Sequence, residues 1–246
     1  MRVAEMRDEL YLEIIACSVA DAVAAEQGGA DRIELISHYD VGGLTPPLEL
    51  VRAVVAAVSI PVRVMLRDRE SFFVTDETER LALRRTAREL CRLPIDGLVL
   101  GFLRRTDPNG RPEIDLELVE ELLDAAPDLR VTFHRASEAL PDPGMAIEAL
   151  RPYPQIDTLL TSGGPEPWAA KVDRLSGWVF RAAPEKTILL GGGVDEEAIR
   201  ALRPVTPLRA FHLGQAVRAG RQIDGPVVAA EVSRFADLIA SSGPSD

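Results

Sequence analysis

Eight short β-favouring runs recur along the chain, and a helix-favouring stretch follows each of them. The runs are rich in Val, Ile and Leu and span residues 11–17, 32–37, 61–67, 97–103, 130–135, 157–162, 187–192 and 210–215. Strands that alternate with helices pair in parallel through right-handed crossovers. Eight such units in 246 residues predict an α/β fold, a single (β/α)8 TIM-type barrel of parallel strands.

We expect one domain over residues 1–246, with its core at about residues 11–240, because no stretch rich in Pro, Gly or Ser divides the chain. A doubly wound open sheet is the alternative arrangement. Such a sheet carries a glycine-rich fingerprint after its first strand, whereas here the first run leads into ACSVADA, residues 16–22, which contains no glycine. The barrel is therefore favoured.

The composition of the chain restricts the kinds of molecule that it could bind. The formal net charge is -11, which disfavours nonspecific binding to nucleic acid or to an anionic membrane. No apolar run approaches the roughly 20 residues that span a bilayer, and the first ten residues do not resemble a secretory signal. Cys17 and Cys91 lack the spacing of a metal motif or a disulfide framework. We expect a reduced, cytoplasmic protein with a small-molecule partner. Whether it forms a homo-oligomer stays open.

Polar residues at the ends of the predicted strands are the candidates for chemistry, because barrel active sites lie at the carboxyl ends of the strands. Glu13 and Glu34 lie within the apolar runs LEII and IELI, where a carboxylate needs a partner. We expect Arg67 or Arg135 to contact Glu34. The two carboxylates are either catalytic or part of a buried Glu–Arg network that stabilises the barrel, and the sequence leaves both open.

Two arginines and a histidine follow strand runs. Arg67 and Arg69, two residues apart, point to the same side of an extended chain. They could clamp a carboxylate or phosphate, or they could be surface residues paired with nearby acids. His134, beside Arg135 in VTFHRA, is a candidate general acid or base; the alternative is a packed core histidine. No spacing indicates a zinc site, so we predict no metal ligands.

Glycines follow the sixth, seventh and eighth runs, where barrels often bind phosphate. Backbone amides at such glycines can approach an anion closely, although a simple turn needs no ligand. The candidate substrate-binding residues here are Ser162, Gly163, Gly192, Gly193, His212 and Gly214.

Several fragments together resemble the CutC copper homeostasis protein family. They are GGADRIEL from Gly28, GGLTP from Gly42, VTFHRA from Val131, LTSG from Leu160 and GGGV from Gly191. The resemblance implies a TIM-type barrel, cytoplasmic copper handling, cuprous ion binding as the cofactor chemistry, and a suspected but unassigned enzymatic activity.

The chain departs from the family pattern at the positions that would hold a soft metal. Cysteines usual in the family are replaced by Ile15, Ala16 and Ile36, and a glutamate, Glu138, stands where the family has an aspartate. The family copper ligands therefore do not carry over, since Cu(I) prefers thiolate and thioether ligands.

Two functions follow, with a scaffold lacking chemistry as the third. The first is a CutC-like role in copper homeostasis, implied by the resemblance. The second is a barrel enzyme of the lyase or isomerase type that acts on a small anionic or phosphorylated substrate. In that enzyme, Arg67, Arg69 and Arg135 would hold the anion. His134 or Glu13 would move the proton, with Glu34 as a further catalytic carboxylate.

Overall fold

The fold is built from ten strands and eight α-helices in a computed structural model that describes residues 10–74, 76–105 and 110–243. The barrel strands are β1 (Tyr11–Ala16), β2 (Arg32–Leu35), β3 (Val62–Met65), β4 (Gly97–Leu100), β7 (Arg130–Phe133), β8 (Ile156–Thr161), β9 (Thr187–Leu190) and β10 (Ala210–Leu213). They are all parallel and close in the order β1-β10-β9-β8-β7-β4-β3-β2. A separate antiparallel pair, β5 (Leu103–Arg104) and β6 (Glu113–Ile114), follows β4.

Helices occupy the connections between barrel strands. They are α1 (Val19–Gln27), α2 (Leu48–Ala57), α3 (Glu77–Leu90), α4 (Leu116–Ala125), α5 (Met145–Leu150), α6 (Val172–Ala182), α7 (Glu196–Leu202) and α8 (Ala229–Ser241). The side chains of Ser18, Asp76, Asp115 and Asp195 each accept a backbone N–H of the first turn and so cap α1, α3, α4 and α7. Among the described residues, no helix is both long enough and apolar enough to cross a membrane.

The period of two along each strand separates two kinds of interior. Residues such as Leu12 and Ile14 of β1 belong to the large apolar core between barrel and helices. The alternate residues point into the barrel, where Tyr11 packs with Leu160, and Ile15 packs with Met65. Glu13 lies between Tyr11 and Ile15 on this inner face, so its carboxylate enters the barrel.

The predicted barrel is confirmed, and each of the eight predicted strands overlaps one barrel strand. The connection from β8 to α6 contains a 3-10 turn at Trp168–Lys171, and α6 begins at Val172. The segment between β8 and this turn contains Pro165 and Pro167, and a proline disfavours helical backbone in the residue before it.

Candidate functional site

A buried polar network lies inside the barrel where β2, β1 and β10 are neighbours. The Glu13 carboxylate is fully buried and accepts hydrogen bonds from Arg32 Nε and, at 2.6 Å, from His212 Nδ1. The register sets these contacts, because Glu13 pairs with Arg32 on one side and with His212 on the other. Glu34 completes the network: its Oε2 lies 3.6 Å from His212 Nε2. Its buried Oε1 has no hydrogen-bond partner among the described residues.

The charges of this network divide its two carboxylates. Burial favours the protonated form of Glu13, but Arg32 and then His212 outweigh it and lower the pKa of Glu13 to about 2. Burial raises the pKa of Glu34 to about 7, with His212 opposing the shift. Burial also opposes protonation of His212, yet Glu34 and Glu13 outweigh it and raise the pKa of the imidazole. Glu34 is therefore the carboxylate of this network whose pKa lies near neutral pH, and His212 is its neighbour.

Glu34 does not pair with either of the arginines expected from the sequence. Within the described residues, His212 is the ion-pair partner of Glu34, and neither Arg67 nor Arg135 lies within 4.0 Å of its carboxylate. The cation that neutralises this region is Arg32, which bonds Glu13. Sequence reasoning missed Arg32, although it lies two residues before Glu34 in β2 and so shares its face.

Arg67 and Arg69 have separate partners and form no common clamp. The Arg67 guanidinium donates to backbone oxygens of its own loop, Arg69 O at 2.8 Å and Glu70 O. It also stacks 4.8 Å from the Phe72 ring centroid. Arg69 Nη2 lies 2.7 Å from the Glu79 carboxylate on α3. Both arginines therefore brace the loop between β3 and α3 in this structure, and a substrate role for them stays a prediction.

His134 lies at the end of β7, is 4% exposed, and differs from His212 in every partner. Its Nδ1 accepts the backbone N–H of Ala136 at 3.1 Å, which places the imidazole proton on Nε2. A Cβ at Gly101 would lie 2.6 Å from Nδ1, so only glycine leaves room for the ring. Burial, with the positive charge of Arg67, lowers the pKa of His134 to about 3. His134 is therefore neutral at physiological pH and offers a hydrogen-bond donor rather than a base.

A cavity of about 990 Å³ opens above β7, β8 and β9 and gathers some of the expected binding residues. Arg135, Ser162, Gly163 and Gly192 line it. Arg135 is held by Glu138, which accepts from Nε at 2.8 Å and from Nη2 at 2.7 Å. Glu138 is fixed in turn because it also accepts from Ser162 N–H. Arg135 Nη1 is left facing Gly192, where a Cβ would lie 3.0 Å away.

The expected binding glycines do not form one cluster. Gly192 and Gly193 adopt positive φ angles of 74° and 91°, and their backbone N–H groups donate to no group in the described part of the chain. Gly163 N–H is taken by Thr161 Oγ1 at 3.0 Å. Gly214 lies apart beneath Tyr39, because a Cβ there would fall 1.9 Å from the Tyr39 hydroxyl.

Lys171 and Trp168 are among the cavity residues that were not identified from the sequence. Lys171 is 4% exposed, donates from Nζ to Ser162 O at 3.0 Å, and lies 3.8 Å from the Trp168 ring centroid. Trp168 itself lines the cavity. Both residues lie beyond the strand end, in the connection to α6, where sequence periodicity carries no signal for a site.

The two cysteines of the chain lie apart: Cys17 packs against the inner cluster of Ile15 and Met65, and Cys91 packs against the outer core. Cys17 Sγ accepts a hydrogen bond from Arg218 Nη2 at 3.5 Å, and burial raises the pKa of this thiol although Arg218 opposes the shift. Cys91 ends α3 on the outside of the barrel. Among the described residues, the one group of three ionisable ligands within 4.8 Å is Glu13, Glu34 and His212. That group contains no sulfur, and Arg32 already supplies its cation.

Comparison with known proteins identifies the family. The model of the CutC family matches residues 10–217. A family protein CutC from Xanthomonas axonopodis pv. citri is 37% identical over 87% of this chain and 87% of its own length. A human copper homeostasis protein cutC homolog is 32% identical over 82% of this chain and 71% of its own.

A solved CutC structure supports the same conclusion. The protein from Streptococcus agalactiae superposes with a TM-score of 0.74 at 27% identity, covering 83% of this chain and 98% of that chain. The barrel, the matched span and the level of identity agree. This chain belongs to the CutC family.

Proposed function

We propose that this protein is a barrel enzyme of the lyase or isomerase type that acts on a small anionic or phosphorylated substrate. The observation that carries the proposal is the 990 Å³ cavity at the ends of β7, β8 and β9, with Arg135 and Gly192 on its wall. Cavities of this size hold small ligands, and the carboxyl ends of barrel strands are where barrel enzymes bind them.

The anion would bind between Arg135 and the glycine turn after β9. Arg135 has one guanidinium edge fixed by Glu138, so Nη1 is held toward Gly192 without further loss of side-chain freedom. The free N–H groups of Gly192 and Gly193 supply neutral donors on the same side. An arginine with oriented backbone amides is the arrangement that binds carboxylate or phosphate oxygens strongly.

The proton-transfer group of this enzyme would be the Glu34–His212 pair. The pKa of Glu34, raised by burial to about 7, suits a general acid or base near neutral pH. Glu13 holds the His212 ring through Nδ1. His212 lies beside Gly191, the residue before Gly192 of the cavity, because a Cβ at Gly191 would lie 3.0 Å from its Cδ2. Glu13 is then a positioning residue and Glu34 the exchanging one.

The anion site is tested by titrating the purified protein with inorganic phosphate in a calorimeter. We expect saturable binding to the wild type. Arg135→Met should weaken it at least about tenfold, the equivalent of one charge-assisted contact of ~1.4 kcal/mol. Arg85→Met is the matched control, because Arg85 is an exposed arginine of α3, on the outside of the barrel.

Equal phosphate affinity in the wild type and Arg135→Met would contradict the site, as would no binding at all. Weakening by Arg85→Met to the same extent would show that net charge, rather than the cavity, attracts the anion. Far-ultraviolet circular dichroism of each variant verifies that the barrel is intact.

Copper homeostasis is the second candidate function, supported by the family and by the name of the human relative. One structural observation favours it: Cys17 and Met65 both border the same small apolar cluster inside the barrel. A single thiol and a thioether fall short of the soft-ligand set that Cu(I) prefers. Copper handling without a stable bound ion is the form of this function that the residues support.

A further inference from the structure

The cavity contains an aromatic platform beside its anion site. The chain has two tryptophans, and both Trp168 and Trp178 line this cavity. Trp178, a residue of α6, is largely buried in the core, whereas Trp168 is half-buried. Trp168 in the same cavity as Arg135 offers a surface that an inorganic anion alone does not use, since an ion has no ring or apolar surface to pack on it.

Trp168 is held by the same residues that shape the anion site. Lys171 connects the two: its Nζ bonds Ser162 O at 3.0 Å and lies 3.8 Å from the Trp168 ring centroid. Pro165 and Pro167 precede the tryptophan and restrict the backbone that carries it. The indole is therefore oriented before any ligand arrives.

Arg174 of α6 braces the outer side of this segment. Its Nη1 donates to Gly163 O at 2.6 Å, and the guanidinium pairs with the Glu166 carboxylate through two contacts of 2.8 Å. A Cβ at Gly164 would lie 2.3 Å from Arg174 Nη1, so glycine is needed for this close packing. A segment tied at Ser162, Gly163 and Glu166 keeps the distance between indole and anion site constant, which is what recognition of one molecule with two different ends requires.

We propose that the substrate of this site is an anion that carries a planar ring, with its charged end at Arg135 and its ring against Trp168. The inference rests on the proposed anion site and names the substrate class for it. Flat aromatic rings stack on indole, and such contacts add about 0.5–1.5 kcal/mol beyond the area they bury. Lys171 contacts the indole at 3.8 Å and so keeps this surface in place beside the anion site.

Phenyl phosphate and inorganic phosphate form the pair of probes that tests this class. Both are titrated calorimetrically into the wild type, Trp168→Ala, Trp168→Phe and Phe180→Ala, and tryptophan fluorescence excited at the red edge reports where they bind. We expect phenyl phosphate to bind the wild type about tenfold more tightly than phosphate. Trp168→Ala should lose that preference while still binding phosphate, and Trp168→Phe should keep most of it.

Phe180→Ala is the matched aromatic control, because Phe180 is 72% exposed on α6 and does not line the cavity. It should leave both affinities unchanged. Equal affinity of the wild type for the two probes, or a preference that survives Trp168→Ala, overturns the inference while the phosphate site stands. Loss of the preference in Trp168→Ala, with the preference intact in Phe180→Ala, supports it. If neither probe binds, the inference and the proposed function are both overturned.

Discussion

His134, just after β7, and His212, within β10, are both buried and have opposite chemistry. Both follow apolar strand residues, and they are 4% and 6% exposed. His212 lies between the carboxylates of Glu13 and Glu34, which raise its pKa against the effect of burial. His134 meets a backbone N–H and the charge of Arg67, and its pKa falls to about 3. Burial is shared, so the charge of the neighbours decides which histidine can hold a proton.

The two regions also differ in how their carboxylates are used. Glu13 is fully buried and compensates Arg32, which is itself 5% exposed. Glu138, near His134, pairs with an Arg135 side chain that is 46% exposed. A buried pair broken on one side leaves an uncompensated charge, whereas water screens the survivor of a partly exposed pair. The region of His212 should therefore be the more sensitive to loss of a single charge.

The largest expected effect comes from Glu13→Gln. The amide keeps the shape of the carboxylate but leaves the Arg32 guanidinium buried without its counter-charge, so we expect a loss of about 3–5 kcal/mol in the free energy of unfolding. Glu138→Gln is the matched change in the other region and should cost about 1 kcal/mol or less. Urea unfolding at pH 7 measures both losses, because each variant should shift the midpoint of unfolding while the dependence on urea concentration stays constant. Equal losses would remove the distinction between the regions.

The pH dependence of stability gives a second, smaller effect that separates Glu34 from His134. The pKa of Glu34 is raised from 4.5 to about 7 in the fold. Between these values the folded chain holds a proton that the unfolded chain has lost, so the free energy of unfolding falls as the pH rises. The pKa of His134 is lowered from 6.5 to about 3. Between those values the unfolded chain holds the extra proton, and the free energy of unfolding rises with pH.

These opposing slopes overlap between pH 5 and 6.5. Glu79, whose pKa burial also raises to about 7, adds a slope of the same sign as that of Glu34 to the wild type and to every variant. Each proton is worth about 1.4 kcal/mol per pH unit. Between pH 5 and 6.5, the free energy of unfolding of Glu34→Gln should therefore rise by about 2 kcal/mol more than that of the wild type. The free energy of unfolding of His134→Gln should rise by about 2 kcal/mol less. The window avoids the titration of Glu13, whose pKa shift acts below 4.5. It also lies below the range in which the raised pKa of His212 takes effect.

Unfolding free energies at pH 5.0, 5.5, 6.0 and 6.5 for the two variants and their double mutant provide the measurement. The double mutant should return to the slope of the wild type. A His134→Gln variant that retains the wild-type slope would mean that folding does not lower the pKa of His134, and the contrast between the two histidines would be lost.

The barrel was predictable because its signal is local, whereas the partners inside it were only partly so. Each strand shows its own apolar run, and the period of two correctly places Glu13 and Glu34 on the inner face. The same period places Arg32 beside Glu34, so this cation could have been recognised. The Glu13–His212 contact could not, because it arises when β10 closes on β1 across 199 residues.

The candidate site shows the same limit in its loops. Arg135, Ser162 and Gly192 follow strand ends, and the structure brings them to one cavity. Arg67 also follows a strand, yet its guanidinium turns back to the carbonyls of its own loop. Trp168 reaches the cavity from a connection whose path depends on Lys171 and Arg174. Strand ends predict which residues face the mouth, but loop packing decides which of them remain available to a ligand.

The smallest expected effect is on the binding of Cu(I). A large effect would contradict the comparison between the regions of His134 and His212. Cys17 lies on the His212 side of the barrel, beside Arg218 and the cluster that contains Met65. Burial raises the pKa of its thiol, and Cu(I) binds the thiolate. His212 Nε2 would complete a site only by giving up the proton that Glu34 and Glu13 stabilise. Met1 and Met6 lie outside the described residues, and Met145 is exposed at the start of α5.

We therefore expect the reduced protein to release Cu(I) to a strong cuprous chelator, equally in the wild type, Cys17→Ser and the control Cys91→Ser. One equivalent of copper retained by the wild type and Cys91→Ser but lost in Cys17→Ser would make His212 a candidate metal ligand. The region around His212 would then be a metal centre rather than a proton-exchanging pair.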